Sequence, residues 1–227
     1  MSTSLPARPA IDTAAPRSLT TRLVDLVRKR TLVVNLVRRE LRARYKGSVV
    51  GVLWSLLNPA MYLAVFSVVF TELLRVQVPL FGVFLLCGLL VWNFFSSSVT
   101  SASSSLLDNA SLIQKVWFPR EALPVASVGA GLVNLLLQAV VLVAGLVIFR
   151  NWPDPRALPL LVPAVLALVL ITTGLSLLLS ALTVRYRDVK HLMEVALTGW
   201  FWLSAIVYPY ASVADRLGRW EWMSSLN

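Results

Sequence analysis

Four stretches of this chain run for membrane-span length without one charged residue: 49–71, 79–100, 122–149 and 158–183. A fifth, 192–207, carries only Glu194. Eighteen or more apolar residues in a row are long enough for a helix to cross the hydrocarbon core of a bilayer. Such runs leave two choices, lipid or a very large protein interior, and 227 residues cannot supply the second. The chain is 57% hydrophobic and 14% charged, against about 25% charged in ordinary soluble domains. The runs are rich in Leu, Val and Ala and are twice the length of an outer-membrane strand, which excludes a β-barrel. The expected fold is therefore all-α and membrane-embedded, with five spans in the boundaries above.

The segments around the spans have their own character. Residues 1–18 are rich in Pro, Ala, Ser and Thr and read as a disordered tail. No apolar stretch of signal-peptide type follows the early positive charges. Residues 19–46 alternate Leu and Val with Arg and Lys at helical spacing, so 19–46 is expected to be a basic amphipathic helix in the membrane interface. A solvated helix packed on a partner is the other reading. Pro59, inside the first span, predicts a kink. Segment 209–227 follows the fifth span and cannot cross a bilayer. Five spans leave the chain on the far side of the membrane, so a sixth helix is expected beyond residue 227.

The formal charge of +10 would suggest a nucleic-acid partner in a soluble protein. Here the positive residues gather in the arm and loops, where they orient a membrane protein and imply no nucleic acid. With the N-terminus in the cytoplasm, sixteen of the 21 Lys and Arg face inward and five outward. The 113–121 connection, IQKVWFPRE, then lies on the cytoplasmic side, as does the 184–191 connection, VRYRDVKH.

Enzymatic signatures are missing. There is no phosphate loop, no nucleophile elbow and no zinc-protease motif. Cys87 and His191 stand alone, so neither a disulfide within the chain nor a Cys/His metal site is expected. All carboxylates fall in arms, loops or span ends, which disfavours proton-coupled transport. Polar groups inside the spans are hydroxyls and amides. Ser127, Gly131, Asn134 and Gln138 share one face of the third span, and Thr173, Ser176 and Ser180 one face of the fourth. Such faces either glue helices together or line a hydrated path. Tyr62, Trp92, Trp200, Phe201 and Tyr208 belong to aromatic clusters near the span ends. They serve as an interfacial belt or as a slide for sugar rings. With Asn134 and Gln138 they form the candidate channel lining.

Residues 38–70, RRELRARYKGSVVGVLWSLLNPAMYLAVFSVVF, carry a longer signature. Arg39, Leu41, Arg44, Tyr45, Lys46, Ser48, Gly51, Leu53, Trp54, Leu57 and Pro59 resemble the entry to the first span of ABC-2-type polysaccharide export permeases. Val50 stands where that family usually has leucine. Lys115, Phe118, Pro119, Arg120, Glu121 and Pro124 resemble the family's second-to-third-span connection, and 185–189 (RYRDV) and Tyr208-Pro209 resemble later signatures.

This resemblance implies a six-span permease in the bacterial cytoplasmic membrane that pairs with a second copy of itself. Two copies of a cytoplasmic ABC ATPase would serve the pair, holding the ATP and magnesium that this chain does not bind. The cargo would be a polysaccharide on a polyprenyl diphosphate carrier, moved outward. ATPase coupling is expected at Lys115, Val116, Trp117, Phe118, Pro119, Arg120 and Glu121, with Arg185, Arg187 and Asp188. Glu121 is also expected to cap the third span's N-terminus. Arg38, Arg39, Arg42, Arg44, Tyr45 and Lys46 would meet the carrier and membrane lipids. An ABC-2 exporter of a drug or small lipid, or an integral-membrane glycosyl- or acyltransferase, are the alternatives.

Overall fold

A computed structural model describes residues 29–48, 50–70, 81–115, 118–150, 154–156, 158–204 and 206. The expectations for the 1–18 tail, the start of the basic helix, Val116, Trp117, Tyr208 and the 209–227 segment lie outside the described residues.

The first described helix, α1 (Arg30–Tyr45), places Arg42 and Arg44 in its last turn, where cations suit the negative end of the helix dipole. Gly47 follows with φ of 79°, a left-handed conformation that glycine adopts freely and that stops the helix. Ser48 Oγ accepts a hydrogen bond from the Gly51 N–H at 2.9 Å. That bond starts the next element, a 3-10 turn (Gly51–Leu53) that runs directly into α2 (Trp54–Val68). The KGSVVG run is thus a stop and a restart: a glycine ends one helix, and the Ser48 hydroxyl takes the first N–H of the next element.

The remaining helices are α3 (Phe81–Asp108), α4 (Ala110–Lys115), α5 (Ala122–Ile148), α6 (Leu158–Arg185) and α7 (Val189–Leu203). The described residues contain helices but no strands, as the apolar runs require. Among the described residues, four helical stretches are long and apolar enough to cross a membrane: Gly51–Val68, α3, α5 and α6.

Two spans differ from expectation. The second continues eight residues past Thr100, through a serine tract that resembles a loop in composition. There Ser103 and Ser105 donate to the carbonyls of Thr100 and Ala102 at 2.8 and 2.7 Å, so the hydroxyls are satisfied within the helix. The fifth span is represented by α7, which has 15 residues. At 1.5 Å per residue it reaches about 22 Å, short of a hydrocarbon core of about 30 Å. Its backbone turns extended at Ser204 (ψ 139°), which ends the helix.

The central helix is α3, which packs against α2, α5, α6 and α7. Phe95 and Val99 of α3 meet Met193 and Leu197 of α7, with Leu175 and Leu179 of α6 beside them. Glycines let backbones approach. A Cβ on Gly131 of α5 would overlap Ser98 Oγ of α3, and one on Gly145 would come within 2.8 Å of Leu63 of α2. Ser176 and Ser180 of the face read from the sequence are buried in the bundle beside Thr172 and Thr183, and Thr173 is half-buried. The outer side of α6 exposes Leu160, Leu161, Val162, Leu166 and Leu170, an aliphatic surface suited to lipid.

Candidate functional site

The basic helix does not stand apart from the bundle. It lies along α5, with Val37 seated at Gly129: a Cβ there would come within 2.8 Å of Val37 Cγ2. At its far end, the Tyr45 hydroxyl donates to Asn134 Oδ1 at 3.2 Å and also hydrogen-bonds Ser55 Oγ of α2. Asn134 lies twelve residues into α5, about 18 Å along its axis and close to its midpoint. This section of the expected interfacial helix therefore rises beside the bundle. The described part of 19–46 packs against α5 of the same chain. A smooth glycine surface on α5 and a tyrosine that can donate at its tip make that contact possible.

The polar side chains of α1 point in three directions. Asn35, Arg38, Arg39 and Arg42 surround an outer pocket of about 320 Å³. Arg39 and Glu40 also face a cavity of about 270 Å³ that they share with Ser101, Ser105, Asp108 and Asn109 of the α3 end and Ser127 of α5. Arg44 faces a third, of about 440 Å³, with Asn93, Ser96, Ser97, Thr100 and Ser101 of α3 and Asn134 and Gln138 of α5. Ser101 lines both of the last two, so together they make a polar cleft between α1, α3 and α5. It runs from the end of the bundle where α3 finishes and α5 begins to the middle turns of both.

This arrangement divides the α5 face read from the sequence. Gly131 packs helices, Ser127 lines the lower cavity, and Asn134 and Gln138 line the upper. It also adds Asn93, Ser96, Ser97, Thr100 and Ser101, which the sequence alone did not single out. Their spacing of three or four residues was the available signal, since it puts them on one face of a continuous helix.

The aromatic candidates go elsewhere. Trp92 and Phe201 pack at 5.5 Å between ring centroids, and Phe95 and Trp200 at 5.4 Å. With Phe84, Val91 and Ile171, Trp92 and Trp200 line an apolar cavity of about 590 Å³ between α3, α6 and α7. Tyr62 is exposed on α2 and stacks on Phe66 at 5.8 Å. The aromatic and amide members of the expected channel lining therefore occupy separate regions.

The expected coupling residues lie at the end of the bundle where α3 and α6 finish. Lys115 is exposed at the end of α4, Arg120 is exposed, and Phe118 and Pro119 are half-buried. Glu121 precedes α5 but makes no side-chain capping hydrogen bond. Its backbone is already helical (φ −60°, ψ −22°), whereas a capping side chain needs an extended residue. Backbone carbonyls serve the first turn instead: Ala122 N–H donates to Pro119 and Leu123 N–H to Arg120, at 3.0 and 3.2 Å. In the α6–α7 turn, Arg185, Arg187 and Asp188 are exposed. Arg185 Nε donates to the Tyr186 hydroxyl at 3.1 Å, and its guanidinium lies 5.5 Å from that ring's centroid. Lys46 is exposed just beyond the end of α1.

Comparison with known proteins agrees with this architecture. The chain is 36% identical over 197 residues to an O-antigen export system permease protein, RfbA, of Myxococcus xanthus, covering 86% of this chain and 75% of that one. It is 29% identical over 196 residues to a Klebsiella pneumoniae protein of the same name, covering 86% and 74%. The polysialic acid transport protein KpsM of Escherichia coli is 23% identical over 192 residues, covering 83% and 74%. Residues 31–227 match the ABC-2 type transporter family from the first turn of α1 onward, and the chain is a member of that family.

Proposed function

We propose that this chain is the membrane permease subunit of an ATP-binding-cassette exporter that moves a polyprenyl-diphosphate-linked polysaccharide outward across the bacterial cytoplasmic membrane. The observation that carries this reading is the similarity over 86% of the chain to an O-antigen export permease. The polar cleft beside a basic helix supports it, because a saccharide needs hydrogen-bonding groups inside an otherwise apolar bundle. Two copies of the chain would form the path, and ATP and magnesium would be bound by two copies of a separate cytoplasmic ATPase. The N-terminus would be cytoplasmic. Arg38, Arg39 and Arg42, around their open pocket, would hold anionic headgroups and the carrier's diphosphate at the membrane surface.

Coupling to the ATPase would run through 115–121 and 185–188. Arg and aromatic side chains carry most of the binding energy at protein interfaces, and the first segment offers Trp117, Phe118 and Arg120. Replacing Trp117 and Phe118 together with alanine is expected to reduce ATPase co-purification at least tenfold while membrane insertion is retained. Losing one aromatic anchor of about 2 kcal/mol is already enough for that change. Full recovery of the ATPase with the double variant would remove the docking assignment.

A further inference from the structure

The hydroxyls of this bundle follow two patterns. Most of those away from the cleft bond back to a carbonyl one turn earlier: Ser103, Thr172, Thr173, Ser180, Thr183, Thr198 and Ser204 all do so. In the upper cavity the pattern is reversed. Ser96 alone bonds back, to the Trp92 carbonyl, and Asn134 accepts from Tyr45. Arg44, Asn93, Ser97, Thr100, Ser101 and Gln138 have no side-chain hydrogen bond to the described residues. The α6 hydroxyls that pack helices are buried and mostly bonded to their own helix, whereas these upper-cavity groups are partly exposed and unbonded. These face about 440 Å³ of open space, within the usual range of small-molecule sites of about 300–1,000 Å³.

The chemistry of the lining selects a ligand class. Three carboxamides and four hydroxyls both donate and accept, which matches the vicinal hydroxyls of a sugar. The described lining of the upper cavity holds one cation, Arg44, and no aromatic ring. A site for a diphosphate would gather several cations or backbone N–H groups, as the outer pocket with Arg38, Arg39 and Arg42 does.

We propose that the cleft between α1, α3 and α5 is a saccharide subsite contained within one subunit. Asn93, Ser97, Thr100, Ser101 and Gln138 hydrogen-bond the sugar residues nearest the carrier, and Arg44 meets a single negative charge at their edge. The subsite rests on the export reading above and deepens it: the arginine pocket reads the carrier, and the cleft reads its sugar.

The test uses the permease purified with its ATPase in lipid nanodiscs and two probes: bare polyprenyl diphosphate and the same carrier bearing a disaccharide. Binding is read by native mass spectrometry. The disaccharide-bearing carrier is expected to bind about tenfold more tightly, the effect of one or two net hydrogen bonds. Asn93→Ala and Gln138→Ala should each remove most of that preference while leaving bare-carrier binding unchanged. They lie on different helices and break no hydrogen bond within the described protein, so each tests the site if the other fails to fold. Ser103→Ala, whose hydroxyl bonds back on the same helix away from the cleft, should keep the preference. Equal binding of both carriers by the unaltered protein, or a preference that survives both substitutions, overturns the subsite and leaves the export reading standing. Failure to bind either carrier overturns both.

Discussion

Replacing Gly131 with valine should lower the melting temperature of the purified protein by about 5–10 °C and abolish export. At Gly131 the backbones of α3 and α5 are in close approach, and the space that a first side-chain carbon needs is occupied by Ser98 Oγ. Forcing branched carbons into a packed crossing costs about 1–3 kcal/mol, or the helices separate. Separation would be worse for function than for stability, since α3 and α5 form two walls of the polar cleft. Alanine at the same position should be milder, because the Ser98 hydroxyl can rotate away. Ser98 Oγ is also buried with no hydrogen-bond partner among the described residues, so Ser98→Ala forfeits little. Combined with Gly131→Ala it leaves the new methyl 3.4 Å from the Ser98 Cβ position, ordinary contact, and should recover the unaltered melting temperature. Thermal unfolding of the four proteins checks the cycle.

Removing a single oxygen at Tyr45 should have the second-largest effect. Tyr45→Phe keeps the ring and its packing but deletes both hydrogen bonds that join α1 to α2 and α5. Ser55 is 7% exposed, so its hydroxyl is left unpaired in a dry site at a cost of about 1–3 kcal/mol. Export should fall several-fold as the end of α1 that carries Arg44 loosens, while the ATPase still co-purifies. Because Tyr45 and Ser55 share one bond, Tyr45→Phe combined with Ser55→Ala should cost no more than Tyr45→Phe alone. Additive losses would mean that the hydroxyls act separately.

Hydropathy made most of this bundle legible, because an uncharged run of twenty residues has few alternatives to a spanning helix. The starts of the spans and the helix–glycine–serine–helix junction at 45–54 carry local signals. What was not legible was the continuation of α3 past Thr100, where serine hydroxyls bond the preceding turn. The α1–α5 contact was unreadable for another reason. It depends on Gly129 and Asn134 presenting a notch and an acceptor to residues about ninety positions earlier, and no local pattern reports that pairing. Among nine cations of one amphipathic arm Arg44 reads as a membrane-surface residue, and the packing of α1 on α5 adds that it also borders the polar cleft. Asn134 and Gln138 were legible as a face, whereas setting them opposite Asn93, Ser96, Ser97 and Thr100 required the contact between α3 and α5.

The central claim is that this chain moves a lipid-linked saccharide only when a separate ATPase drives it. The most direct measurement reconstitutes the permease with its ATPase in sealed vesicles, with the nucleotide-binding side outward and a polyprenyl-diphosphate-linked oligosaccharide in the outer leaflet. Protection of the sugar from membrane-impermeant periodate then reports its arrival inside. The account predicts protection that grows with ATP and magnesium and is absent with a non-hydrolysable nucleotide or without the ATPase. Protection by the permease alone, or a new covalent saccharide product made without any partner, would contradict it.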